Sequence, residues 1–147
     1  DYKVTGVQTC ALPICGKQVW LPVIGRTRLS FRRYRPGCAM QRGAFGIAQP
    51  VGKLAHDRVP ATLDVILTPL VAVDSAGHRL GMGGGYYDRT FAFRRLRRHW
   101  RRPLLVGVAF SFQQVNAVPT DWWDVPLDAL LTDAGLSVFE GANEIKR

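Results

Sequence analysis

The stretch Arg79-Leu80-Gly81-Met82-Gly83-Gly84-Gly85-Tyr86-Tyr87-Asp88-Arg89 places four glycines in five positions, with two tyrosines, an aspartate and an arginine directly behind them. Each glycine costs folding entropy, so a run of them marks a place where side chains would be in the way. Backbone N–H groups brought against phosphate oxygens create that demand. Asp88, just past the loop, is the kind of carboxylate that Mg2+ takes when phosphates fill most of its shell. Together these residue types fit a site for a nucleotide and its metal ion. The loop has no Gly-Lys-Ser/Thr closure, so it is not a Walker A motif. It also lacks the Gly-x-Gly-x-x-Gly spacing of a dinucleotide fingerprint. An ordinary strand-to-helix turn is the competing account of the glycines, and the Tyr-Tyr-Asp-Arg extension weighs against it.

Each of these residues has a second reading. Tyr86 or Tyr87 would stack on a flat ring or hydrogen-bond through its hydroxyl, or one of them is core. Asp88 would hold a metal, or cap the following helix and pair with its dipole. The histidines His56, His78 and His99 show no ligand spacing. Trp122 and Trp123 would wall a ring pocket, although core packing is the commoner role for such a pair.

The elements that must position the loop follow from patterning. Val19 to Ile24 is apolar and stops at Gly25, which reads as a buried strand. Arg28 to Tyr34 alternates in part, as a strand with one wet face does. Asp64 to Val73 is a near-continuous apolar run and reads as a central parallel strand, with Pro69 at or past its C-terminal end. Asp74 to Gly77 is a turn. Tyr86 to Trp100 has helical spacing, with Tyr87, Phe91 and Leu96 along one stripe. Leu104 to Phe110 is a further buried strand, and short apolar pieces lie at Leu127–Leu131 and Leu136–Phe139. Strands alternating with a helix predict an α/β domain with a mainly parallel central sheet, whose ligands sit at the carboxyl ends of the strands.

At 147 residues the chain suits a single domain with a real core. No apolar run is long enough to span a bilayer. Cys10, Cys15 and Cys38 give neither a metal spacing nor a disulfide framework, which favours a reducing cytosol. The net charge of +9 points to an anionic partner: nucleotide, phosphate, polyglutamate or nucleic acid. Arg94, Arg95, Arg97, Arg98, Arg101 and Arg102 form a basic band that reads as a solvated helix face, a landing site for an acidic tail, or a nucleic-acid patch.

The segment Arg79 to Asp88 resembles the signature of the 5-formyltetrahydrofolate cyclo-ligase (methenyltetrahydrofolate synthetase) family. Lys17–Val23, Tyr34–Gly37, Phe45–Pro50, Asp64–Asp74, Val106–Phe110 and Trp123–Asp128 resemble its other landmarks in order, so the likeness covers Gly16 to Phe139. It implies a Rossmann-like three-layer sandwich. It also implies a reaction in which ATP phosphorylates the formyl oxygen of 5-formyltetrahydrofolate. The second folate nitrogen then closes on the activated carbon, giving 5,10-methenyltetrahydrofolate, ADP and phosphate.

By the same resemblance, Arg79, Gly81, Met82, Gly83, Gly84, Gly85, Tyr86 and Tyr87 contact ATP. Met82 to Tyr86 border the folate, with or without its polyglutamate tail, and Asp88 and Asp124 hold Mg2+. Arg79, Tyr87 and Asp88 are the candidate catalytic residues. For Asp124 an ion pair with an arginine is the rival role, and Asp128 reads as a structural partner nearby. The implied protein is a cytoplasmic monomer with no membrane partner, and nucleic acid is disfavoured. A nucleic-acid-binding relative of the same fold without ligase activity is the alternative.

Val4 to Ile14 resembles the translation of a sequencing-adapter read. On that reading residues 1–15 are non-native, 16–139 form the cyclo-ligase-like domain, and 140–147 are a loose tail. Family members carry a basic ATP-binding helix and a strand ending in a folate-binding glutamate before this point. Residues 1–15 reproduce neither. The first helix and strand of the family are therefore expected to be missing, and the chain as written to be weak or inactive.

Overall fold

The computed structural model describes residues 16–53, 57–96 and 102–139. Expectations for residues 1–15 and 140–147, for His56 and His99, and for Arg97, Arg98 and Arg101 lie outside them. The chain divides into two compact units, Asp1–Pro60 and Ala61–Arg147.

In the first unit, β1 (Val19–Ile24) and β2 (Leu29–Tyr34) form an antiparallel hairpin. Gly25 N–H closes its turn on Arg28 O at 3.0 Å. Val19, Val23, Leu29 and Phe31 are its buried apolar positions. A smaller hairpin joins β3 (Met40–Arg42) to β4 (Ala48–Pro50). Arg32, although charged, is buried on β2. Its Nε and Nη2 donate to Asp57 at 2.6 and 3.0 Å, and its Nη1 donates to Pro50 O at 2.9 Å. The ion pair and the carbonyl together compensate the desolvated guanidinium.

The second unit holds the expected sheet. β5 (Val65–Pro69), β8 (Leu104–Val108) and β9 (Ala129–Thr132) run parallel, and β10 (Gly135–Val138) returns antiparallel to β9, in the order β10-β9-β8-β5. The class is therefore α/β with a mainly parallel sheet. The apolar run from Asp64 to Val73 does not form one central strand. It divides into β5, which is the edge of this sheet, and β6 (Ala72–Val73), which pairs with β7 (Arg79–Leu80). Pro69, the last residue of β5, ends the ladder because it has no N–H to donate.

One sheet face carries Ile66, Thr68, Leu105 and Leu130 and is buried. The other carries Val65, Leu67, Val108, Leu131, Leu136 and Val138, all aliphatic and all exposed.

Of the single helix expected from Tyr86 to Trp100, residues 97–100 lie outside the described ones, and the described part is α1 (Tyr86–Phe91) followed by α2 (Phe93–Leu96). Ala92 between them keeps right-handed backbone angles, but Arg95 N–H bonds to Ala92 O, three residues back, so the turn tightens. Phe91 is fully buried, and Leu96, expected on the same stripe, is exposed. Among the described residues no helix is long and apolar enough to cross a membrane.

Candidate functional site

The glycine loop starts from a fixed point. Asp74 directly follows β6, and its carboxylate gathers the turn that leads into β7. It accepts from Ala76 N at 2.9 Å, His78 N at 3.0 Å, His78 Nδ1 at 3.1 Å and Val118 N at 3.3 Å. Burial pushes this carboxyl up, but the hydrogen bonds from His78, Val118 and Ala76 outweigh it and leave the group below its ordinary value. β7 then delivers Arg79, and five residues separate β7 from α1.

Arg79 is turned inward. Its side chain is 5% exposed. Nη2 donates to Asp88 Oδ1 at 2.8 Å, and Nη1 donates to Val125 O. The amide of Val125 donates to the same Asp88 oxygen at 3.2 Å. Asp88, in the first turn of α1, is thus locked between β7 and the Asp124–Val125 peptide. Sequence reasoning gave Arg79 to a ligand and Asp88 to a metal. The structure brings them together as a partly buried ion pair, with the backbone beside Asp124 completing the cluster. Val125 acts through its main chain, which no residue pattern reveals.

The two tyrosines divide. Tyr87 packs on Phe91 at 6.0 Å between ring centroids and lies under the Arg79 guanidinium at 5.9 Å. Burial raises its hydroxyl pKa to about 12, against an opposing pull from Arg79. Tyr87 is therefore a neutral phenol at ordinary pH, able to donate a proton in a hydrogen bond. The Tyr86 ring lies 5.2 Å from the Arg89 guanidinium instead.

The loop itself, Gly81 to Gly85, runs directly before the two tyrosines. Gly81, Met82, Gly83 and Gly84 are exposed. Among the described residues, no hydrogen bond leaves the amides of Gly81 to Gly85. A Cβ built on Gly81 or Gly83 meets nothing within 4 Å, so no packing among the described residues excludes a side chain there. Gly83 and Gly85 have φ of +78° and +57°, which glycine adopts without strain. Arg89 Nη2 donates to Gly84 O at 2.6 Å. That contact was missed in the sequence, where Arg89 stood only as the end of the motif.

Asp124 is half-buried, and its Oδ2 accepts from Asp121 N at 2.8 Å. No arginine pairs with it among the described residues. Asp88 Oδ2 and Asp124 Oδ1 accept no hydrogen bond among the described residues. The amide that bonds Asp88 belongs to the Asp124–Val125 peptide, and among the described residues each carboxylate keeps one oxygen without a hydrogen bond. No group of three or more His, Cys, Asp or Glu is arranged to hold a metal among the described residues. Mg2+ bound through phosphates needs only one or two carboxylates, so the donor set fits that ion and not a site built wholly from protein.

Asp128 binds Arg94 in a fork at 2.7 and 2.8 Å and accepts from Leu105 N at 2.7 Å, which makes it a structural partner. Trp122 is mostly exposed, and Trp123 is partly so. They meet edge-on at 5.4 Å, and Arg95 lies 5.3 Å from the Trp122 ring. Core packing, the commoner role, is not what this pair does.

A domain with this sheet and loop is an α/β protein whose glycine segment joins a short strand to a short helix. The model of the 5-formyltetrahydrofolate cyclo-ligase family matches residues 11–133. A 5-formyltetrahydrofolate cyclo-ligase of Haemophilus influenzae is 42% identical over 120 residues, covering 78% of this chain and 61% of that protein. One from Escherichia coli K12 is 41% identical over 124 residues, covering 80% and 64%. The solved 5,10-methenyltetrahydrofolate synthetase of Aquifex aeolicus superposes with a TM-score of 0.68 at 36% identity, covering 89% of this chain and 63% of that one. The chain belongs to the 5-formyltetrahydrofolate cyclo-ligase family, and it spans less than two thirds of the length of these relatives.

Proposed function

We propose that the whole-length protein converts 5-formyltetrahydrofolate to 5,10-methenyltetrahydrofolate with ATP and Mg2+, releasing ADP and phosphate. The observation that carries this reading is the row of five backbone amides, Gly81 to Gly85, that bond to nothing among the described residues, next to the Arg79–Asp88 pair. A formamide oxygen leaves poorly until it is phosphorylated. In the first step that oxygen takes the γ-phosphoryl group and the bond to ADP breaks. In the second, the other folate nitrogen attacks the formyl carbon, loses its proton, and phosphate leaves with the carbon–oxygen bond pair. Phosphoryl transfer of this kind depends on positioning and charge neutralisation more than on covalent help.

The residues divide that work. The amides of Gly81 to Gly85 direct positive dipoles at phosphate oxygens. Asp88 and Asp124 would hold Mg2+ through their uncommitted oxygens, and the ion would supply neutralisation of phosphate charge. Arg79 holds Asp88 in place and adds positive potential behind the loop. Tyr87, kept as a phenol, donates a hydrogen bond without becoming an anion next to phosphate. Met82 and Tyr86 border the folate, with or without its polyglutamate tail.

The sheet is the centre of a Rossmann-like three-layer sandwich in this reading. Its wholly aliphatic exposed face supports that, because mainly parallel sheets are ordinarily covered on both sides. The protein is taken as a cytoplasmic monomer, on the family resemblance. The net charge of +9 favours nucleic acid, and the glycine loop with Asp88 argues against it. Of the basic band, Arg94 and Arg102 are tied to Asp128 and Asp64, and Arg95 lies on Trp122.

The test is the rise in methenyl-folate absorbance catalysed by the whole-length protein with 5-formyltetrahydrofolate and Mg·ATP. Turnover is expected, and Asp88→Asn is expected to abolish it while leaving the fold intact. A folded whole-length protein that turns over no 5-formyltetrahydrofolate would leave only a nucleotide-binding module.

A further inference from the structure

From the contact between Arg89 and Gly84, we infer that Arg89 is a positioning residue that sets which way the Gly84–Gly85 peptide faces. The inference rests on the phosphate-loop reading. A trans peptide is planar, with its carbonyl and its N–H pointing in opposite directions. Arg89 Nη2 holds Gly84 O at 2.6 Å, so the Gly85 N–H of the same peptide must point away from Arg89. Both flanking residues are glycines, for which the two orientations cost nearly the same. The loop's own backbone therefore gives little reason to prefer one, and the guanidinium supplies it.

The N–H of Arg89 makes only the first helical bond of α1, to Gly85 O at 3.1 Å, as any residue at this position would. A further contact makes Arg89 a clasp and not a chance neighbour. Its guanidinium also lies 5.2 Å from the Tyr86 ring, and that ring comes within 3.0 Å of where a Gly84 Cβ would stand. The fork is thus held between ring and carbonyl. A side chain at Gly85 is disfavoured by its φ of +57°, and its Cβ, 2.7 Å from Arg89 Nη1, would push the guanidinium aside. Lysine has no planar fork with which to bond the carbonyl and cover the ring at once.

The experiment uses the isotope-labelled whole-length protein as wild type, Arg89→Ala and Arg89→Lys. The Gly84 carbonyl and Gly85 amide resonances are recorded without ligand, and the loop amides are then followed through a Mg·ATP titration. Arg89→Ala is expected to move both free-state resonances and to weaken Mg·ATP about tenfold, a difference of about 1.4 kcal/mol. Arg89→Lys, which keeps the charge, is expected to recover only part of that loss. Unchanged Gly84 and Gly85 resonances in Arg89→Ala, or full recovery of affinity in Arg89→Lys, would overturn the inference, the second by showing that charge alone acts. Loop amides of the wild type that ignore Mg·ATP would instead defeat the phosphate-loop reading, and the free-state resonances would still decide whether Arg89 orients the peptide.

Discussion

Replacing Gly81 by alanine separates a ligand-binding loop from a mere turn. Gly81 does not have a positive φ, and a Cβ there meets no atom within 4 Å. The methyl group therefore has room, and the unfolded chain loses freedom, which stabilises the fold by about 0.4–1 kcal/mol. For a chain of this size that is a rise in Tm of about 1–4 °C. If the loop's amides receive phosphate, the same methyl stands in the path of the ligand, and Mg·ATP should bind at least about tenfold more weakly, a cost of about 1.4 kcal/mol. Gly85→Ala is the matched comparison. Its φ of +57° and the 2.7 Å approach to Arg89 Nη1 strain the backbone by about 1–2 kcal/mol and displace Arg89, so stability and binding both fall. Thermal melts and calorimetric titration with Mg·ATP read the two quantities separately. A Gly81→Ala protein that is as stable as wild type and binds Mg·ATP equally well would refute the reasoning, since the glycine would then have no ligand to admit.

Three other outcomes follow from the described contacts. Asp57→Ala leaves the Arg32 guanidinium, 7% exposed in its side chain, without its carboxylate. This should cost about 3–5 kcal/mol in denaturant unfolding, whereas Arg32→Met with Asp57→Leu should restore most of it. Asp74 has a lowered folded pKa, so its contribution is complete above about pH 4 and is lost as pH falls through the folded value. Asp74→Asn should flatten that part of the acid-unfolding curve. The Tyr87 hydroxyl, raised to about 12, contributes stability that is complete below about pH 10 and is lost as pH rises through the folded value. Ultraviolet titration should show one late phenolate step that disappears in Tyr87→Phe.

Much of this arrangement was legible in the residues. β1 follows from an apolar run that stops at Gly25, β2 from the partial alternation of Arg28 to Tyr34, and the parallel pairing of β5 and β8 from two aliphatic runs separated by helical spacing. The glycine loop announced itself through composition alone. What the sequence concealed has physical causes. An aliphatic run shows burial propensity but not lateral position, so Val65–Pro69 read as central when it is an edge. Helical periodicity continues smoothly through Ala92, whereas the break there is a shift in hydrogen-bond register that no side chain encodes. Trp122 reads as core because of its apolar area, yet its ring is exposed beside Arg95. The inward turn of Arg79 depends on the carbonyl of Val125, 46 residues away in sequence, and main-chain partners leave no residue signature.

Hydrogen exchange at the amides of Gly81 to Gly85, measured with and without Mg·ATP, tests the central claim most directly. These groups bond to nothing among the described residues. They should exchange at nearly unstructured rates in the free protein and become protected when Mg·ATP binds, while amides in β5 and β8 change little. Protection already present without nucleotide, or none gained when nucleotide binds, would contradict the account.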